Sequence, residues 1–162
     1  MEVCVFGIGN ILIGDDGFGS RFAQNYKNEI ESLKPGSIEV IDMGAHTIEA
    51  IDYLKDHLEC KYLYFIDITN AHKLDDEIIV LDKEALTNKP KSRIVMSEHS
   101  GGISEILETS EFMGCLPPHI QLIGVRPFNM ETGMSLSHEV EGKMEKIRDF
   151  LVADIKKNLN LD

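Results

Sequence analysis

Apolar positions along the chain follow two alternating rhythms, one of period two and one near 3.6, and these predict the order of its elements. Val3 to Phe6 is a short apolar run closed by Gly7 and Gly9, the pattern of a buried strand entering a tight turn. Phe22, Tyr26, Ile30 and Leu33 then recur at helical spacing until Pro35 and Gly36 stop them. Ile38 to Met43 alternates as a second strand, and Ile48, Ile51, Leu54 and Leu58 mark a second amphipathic helix. Tyr62 to Ile68 predicts a third strand, too apolar to have one solvated face. That is the pattern of a parallel sheet covered by helices on both sides. Glu77 to Leu81 predicts a fourth strand and Ile94 to Met96 a short one, while Ile103, Ile106 and Leu107 open a third helix. Ile120 to Val125 reads as a late strand. Val140, Met144, Ile147, Leu151, Ile155 and Leu159 stripe one closing helix, with Ser137 as its N-cap.

This alternation of strand and helix implies an α/β fold, a three-layer sandwich with a mostly parallel (mixed) central sheet flanked by helices on both faces. With 162 residues, no internal repeat and no linker-like tract, a single domain over 1–162 is expected.

Composition narrows the partners. A formal net charge of -12 would repel a phosphate backbone, so nucleic acid is not expected as a ligand. No apolar stretch approaches the ~18 to 20 residues that span a bilayer, and the chain enters a strand-like run without a basic leader, which predicts a cytoplasmic protein with no membrane insertion. Cys4, Cys60 and Cys115 are odd in number and widely spaced, and read as buried thiols and not as a disulfide framework or zinc knuckle.

In sheets of this kind ligands sit beyond the carboxyl ends of the strands, commonly between strands 1 and 3 where the strand order reverses. After strand 1 comes Gly7-Ile-Gly-Asn-Ile-Leu-Ile-Gly-Asp-Asp-Gly-Phe-Gly19, with adjacent carboxylates Asp15 and Asp16. An Asp before a helix is often only a cap or turn residue. A dinucleotide-binding turn is the first functional rival, since Gly7 and Gly9 fit GxGxxG and Asp42 ends strand 2, where a ribose-binding acid would lie. Against it, the third glycine position is Leu12, and two carboxylates would oppose a pyrophosphate approaching the helix N-terminus. A cation would be welcome there instead. Strand 3 ends in Asp67, and Ser97-Glu-His-Ser-Gly-Gly102 delivers His99 from a loop. If Asp16, Asp67 and His99 converge, they form a mixed oxygen and nitrogen set suited to a borderline divalent metal such as nickel or zinc. Strand-terminal acids that satisfy loop amides, and a solvated loop histidine, are the bland alternatives.

Taken in order, VFGIGNILIGDDGFG, VIDMGAHTIE, YFIDIT, SEHSGGISEIL and IQLIGVRP resemble the nickel-iron hydrogenase maturation proteases over nearly the whole chain. Gly7, Gly9, Asn10, Leu12, Asp15, Asp16 and Gly17 match the family's N-terminal motif. Asp67 and His99 match its strand-ending acid and histidine loop, and Asp42 and Gly44 its second-strand motif. The resemblance implies an endopeptidase that removes the C-terminal extension of a hydrogenase large-subunit precursor after nickel insertion. It also implies that Asp16, Asp67 and His99 contact the metal and carry catalysis, with nickel arriving in the precursor. Many members carry Glu in place of Asp16, so the carboxylate here is one methylene shorter. Asp42 and Gly44 are assigned to the substrate tail or the shape of the cleft, with Asp42 as a loop anchor the alternative. No nucleophile elbow, HExxH helix or serine or cysteine triad is evident, which disfavours a covalent acyl-enzyme. A nucleotide-binding oxidoreductase and a non-catalytic nickel chaperone are the rival classes.

Overall fold

The computed structural model describes residues 1–70, 78–87 and 101–162. The expected short strand at Ile94–Met96 and His99 lie outside the described residues. Five strands form one sheet in the order β2-β1-β3-β5-β4. They are β1 (Val3–Ile8), β2 (Ile38–Gly44), β3 (Tyr62–Ile68), β4 (Ile79–Asp82) and β5 (His119–Val125). β1 pairs in parallel with both β2 and β3, and β3 in parallel with β5; only β4 runs antiparallel, on the β5 edge. The sheet is therefore mixed and mostly parallel, as the apolar runs predicted.

Alternation of side chains sorts the core into two layers. Cys4, Phe6, Leu63, Phe65 and Leu122 face one side and meet α2 (Thr47–Asp56), α3 (Lys83–Thr87) and α4 (Gly101–Phe112). Val3, Val5, Tyr64, Ile66, Ile68 and Ile123 face the other and meet α1 (Phe18–Glu31) and the closing helices. Each fully buried Leu, Ile or Phe contributes roughly 1.5–3 kcal/mol relative to exposure. Tyr64 is buried without an orphaned hydroxyl, because it donates to Asp154 Oδ2 (2.7 Å) and accepts from Asn158 Nδ2 (2.8 Å), which ties β3 to the closing helix. All three cysteines are buried free thiols.

Two expectations are corrected in detail. The fourth strand begins at Ile79 and runs to Asp82, two residues past the predicted start. The closing helix is two helices, α5 (His138–Glu141) and α6 (Met144–Leu159), separated at Gly142 and Lys143. Val140 and Met144 flank the break and are both buried in the same core layer, so the apolar spacing passes through it unchanged. Ser137 is the N-cap of α5, its Oγ accepting the Val140 amide at 3.4 Å.

The N-terminus of α1 is pressed onto the ends of β1 and β3 because Gly19 has no side chain. A Cβ there would sit 2.0 Å from the Ile66 carbonyl oxygen and 2.3 Å from that of Ile8, both backbone atoms. Gly19→Ala gains up to about 1 kcal/mol of helix propensity, but the overpacking outweighs it. The expected net loss is about 2–3 kcal/mol of stability in urea unfolding, and a stability equal to wild type would contradict this packing.

Candidate active site

The carboxyl ends of β1 and β3 are adjacent, and the segment that leaves β1 folds back over them. It does so because Gly9, at φ +134°, turns where an L side chain cannot; a Cβ there would collide with the Asp16 carbonyl oxygen at 1.7 Å. A 3-10 turn, Gly14–Gly17, follows and places Asp15 and Asp16 in the interior. Neither caps α1, whose N-cap Gly17 receives no side-chain bond. The space a diphosphate would need beside Gly9 is taken by the chain's own turn, which removes the dinucleotide reading.

The two neighbouring aspartates have different partners. Asp15 is saturated: its Oδ2 accepts the amides of Phe128 (2.7 Å) and Asn129 (2.8 Å) and the Ser137 hydroxyl (2.8 Å), and its Oδ1 accepts the Ser137 amide (2.6 Å). Burial pushes its carboxyl up, but these bonds from Ser137, Asn129 and Phe128 outweigh burial and hold it below the usual carboxylate range. Asp16 is half satisfied. Its Oδ2 accepts the Asn10 amide at 2.9 Å, while Oδ1 is buried with no hydrogen-bond partner among the described residues.

Asp67 repeats the pattern from β3. The side chain lies at the end of the row that carries Leu63 and Phe65, so it faces the α2 and α4 layer. Oδ1 accepts the Ile68 amide at 2.7 Å and Oδ2 has no partner among the described residues. Burial holds this carboxyl well above the ordinary range; the Ile68 amide opposes that, and the charge of nearby Asp16 adds to it. Asp16 and Asp67 are 0% and 1% exposed. Two of the three expected site residues are thus brought together, each with one free, inward carboxylate oxygen. A buried unpaired carboxylate oxygen is costly, and two of them near one another are hard oxygen ligands that a cation would satisfy. Among the described residues no group of three or more His, Cys, Asp and Glu side chains forms a complete metal site.

Beside the pair opens a cleft of about 340 Å³ lined by Gly9, Asn10, Ile11, Ser20, Asp42, Gly44, Ala45 and His46. Gly44 adopts φ +53° and its carbonyl accepts the Gly9 amide at 2.8 Å, joining the β2 loop to the β1 turn. Asp42 lines the cleft and also anchors it, since its carboxylate accepts from Gln24 Nε2 (2.7 Å) and the Gly44 amide (3.1 Å). Gly102 and Ile106 of α4 line a smaller hollow together with Gly9 and Gly44, which puts the start of α4 against the same edge. His57, stacked on Tyr53, and His119, stacked on Tyr62, take no part. Sequence reading missed the loop from Arg126 to Leu136, which Asp15 binds to the site. Its Asn129 and Gly133 were the available turn signals.

A family model described as hydrogenase maturation protease matches residues 21–153, well over half the chain. The chain belongs to the hydrogenase maturation protease family. It is 25% identical to the hydrogenase 2 maturation protease of Escherichia coli K12, across 98% of this chain and 93% of that one. It is 29% identical to the hydrogenase expression/formation protein HupD of Rhodobacter capsulatus, across 98% and 71%. Its fold superposes on the solved hydrogenase-maturating endopeptidase HybD of E. coli with a TM-score of 0.76 at 26% identity, covering 98% and 94% of the two chains. The [NiFe] hydrogenase maturation protease HybD of Thermococcus kodakarensis shares the fold, with a TM-score of 0.73 at 23% identity, covering 93% and 97%.

For this maturation protease the unsatisfied pair has a measurable cost. A carboxyl whose folded pKa is raised contributes stability that is full below its unfolded value of about 3.9 and is lost as pH rises through the folded value. At neutral pH, Asp67 therefore destabilises the metal-free fold. Asp67→Asn should stabilise that fold by on the order of 1 kcal/mol, raising the melting temperature by about 2–4 °C at pH 7. A lower melting temperature would contradict the reading. Asp15→Asn should do the opposite, since an amide cannot accept from four donors at once. A loss of about 2–4 kcal/mol in urea unfolding at pH 7 is expected, and the wild type should itself lose this contribution as pH falls through the depressed Asp15 value.

Proposed function

We propose that this protein removes the C-terminal extension of a [NiFe]-hydrogenase large-subunit precursor after nickel insertion, and that nickel held by the precursor is what it recognises. Family membership supports the peptidase activity, and the observation that carries the finer reading is the pair of partnerless oxygens, Asp16 Oδ1 and Asp67 Oδ2. Oxygen donors of this kind, joined by the His99 imidazole that the motif SEHSGG supplies, suit a borderline divalent ion with room left for a substrate group. A tail without nickel would have no anchor at this edge of the sheet. Processing would then report that the precursor is loaded.

In this reading Asp16 and Asp67 receive the metal-bearing end of the precursor, and the cleft lined by Asp42 and Gly44 receives the tail. Holding the scissile peptide there converts a chance encounter into a fixed approach. A bound divalent ion supplies Lewis acidity to such a site. The hydrolysis itself adds water across one peptide bond: the hydroxyl goes to the carbonyl carbon and a proton to the leaving amine. The Ile68 amide on Oδ1 fixes the orientation of Asp67 and leaves Oδ2 for the incoming group. Asp42 keeps the β2 loop in place through Gln24 and Gly44, so its substitution acts on tail binding.

The test is intact-mass spectrometry of a cognate precursor with and without nickel, incubated with wild type, Asp16→Asn and His99→Ala. The expected result is a nickel-dependent loss of a C-terminal peptide by wild type, reduced at least about 100-fold in rate in each variant. An unchanged mass with loaded cognate precursor, or cleavage of nickel-free and loaded precursor alike, would overturn the reading.

A further inference from the structure

The loop that Asp15 clamps carries apolar side chains on its outer surface. Phe128, Met130 and Met134 are 60%, 40% and 57% exposed, and Leu12, on the facing turn, is 53% exposed. Single exposed hydrophobics are ordinary, but a group of them on one feature marks an interaction surface. The feature is braced on both sides. The Gly133 amide donates to the Leu12 carbonyl and the Gly14 amide to the Gly133 carbonyl, each at 2.8 Å, and the Asp15 amide donates to the Asn129 carbonyl at 2.8 Å. Arg21 Nη2 holds the Met134 carbonyl at 2.6 Å, and Lys143 Nζ lies 5.5 Å from the centre of the Phe128 ring. Ordering such a surface on binding therefore costs little, because it is already ordered.

We infer that Leu12, Phe128, Met130 and Met134 form the face on which the body of the precursor protein docks, through an apolar surface of its own, while the tail lies in the adjoining cleft. The inference rests on the reading that this chain processes a protein precursor. Continuity identifies the occupant: Ile11 lines the cleft and Leu12 begins the apolar face, and the Asp15 carboxylate that fixes the Phe128 and Asn129 amides is the chain neighbour of Asp16. A protein whose tail reaches Asp16 must cover the surface next to it. Thioether side chains suit that role, since they adapt to an irregular partner without a fixed shape of their own. Of the other exposed apolar residues, Ile48 opens α2 and Val80 lies on β4, while Phe112, Met113 and Leu58, at or just past the C-terminal ends of α4 and α2, serve as a control.

Equilibrium binding of the nickel-free cognate precursor, which is not cleaved in this reading, tests the face separately from the metal contact. Wild type should bind it, the double variant Phe128→Ser/Met134→Ser should bind at least about tenfold more weakly, and Phe112→Ser should match wild type. Circular dichroism checks that each variant is folded. If the double variant binds as tightly as wild type, if wild type does not bind nickel-free precursor, or if sedimentation shows the face joining two copies of this chain, the inference is overturned. Failure of the peptidase reading looks different: loaded precursor would keep its mass while the tenfold difference in binding persisted.

Discussion

Everything at the carboxyl edge of this sheet depends on holding two carboxylates in the interior without satisfying them. Burying an ion costs several kcal/mol, and a second like charge nearby adds to that cost. A sequence selected for stability alone would replace Asp67 with an apolar or amide residue. The fold spends its rigidity instead on keeping both side chains where they are. Gly9 turns the chain back onto Asp16, Gly19 lets α1 close on β1 and β3, and the Asn10 and Ile68 amides each fix one oxygen of a carboxylate while leaving the other free. The carboxyl edge is thus a place where the folded chain is locally unsatisfied among its described residues.

Asp15 and Asp16 divide the labour between neighbours. Both are fully buried, yet Asp15 has both oxygens engaged across more than a hundred residues of chain, while Asp16 has one oxygen without a partner among the described residues. The first joins the β1 turn to the loop before α5, and the second, on the proposed reading, takes a partner from the precursor. Because one short turn carries both, the position of the loop and the position of the free oxygen are set together. On the proposed reading the apolar face, the cleft and the metal contact are three parts of one surface, each with a separate piece of the precursor to receive.

Local periodicity was enough to show the strands and most helix positions, while Asp16 and Asp67 were legible from their motifs and the family resemblance. Apolar runs two-sided enough for a parallel sheet pointed to strands 1 and 3 as neighbours, but the meeting of Asp16 and Asp67 depends on the strand order, which periodicity does not carry. Other features depended on contacts that periodicity does not carry. The Asp15 clamp links residues distant in sequence and was open to a simpler reading as a cap. The break at Gly142 and Lys143 leaves the spacing of Val140 and Met144 intact, so a stripe of buried residues cannot reveal it. The antiparallel course of β4 depends on which edge it joins. Asp42 kept both of its alternatives, since the side chain that anchors the β2 loop also lines the cleft.

The central claim is that the free oxygens of Asp16 and Asp67 take up the nickel of the precursor. Nickel K-edge X-ray absorption of the loaded precursor, alone and in complex with this protein, tests it most directly. The account predicts added light-atom scatterers at about 2.0–2.2 Å on complex formation, lost when the partner is the Asp16→Asn/Asp67→Asn double variant. A nickel spectrum unchanged by complex formation with the wild-type protein would contradict it.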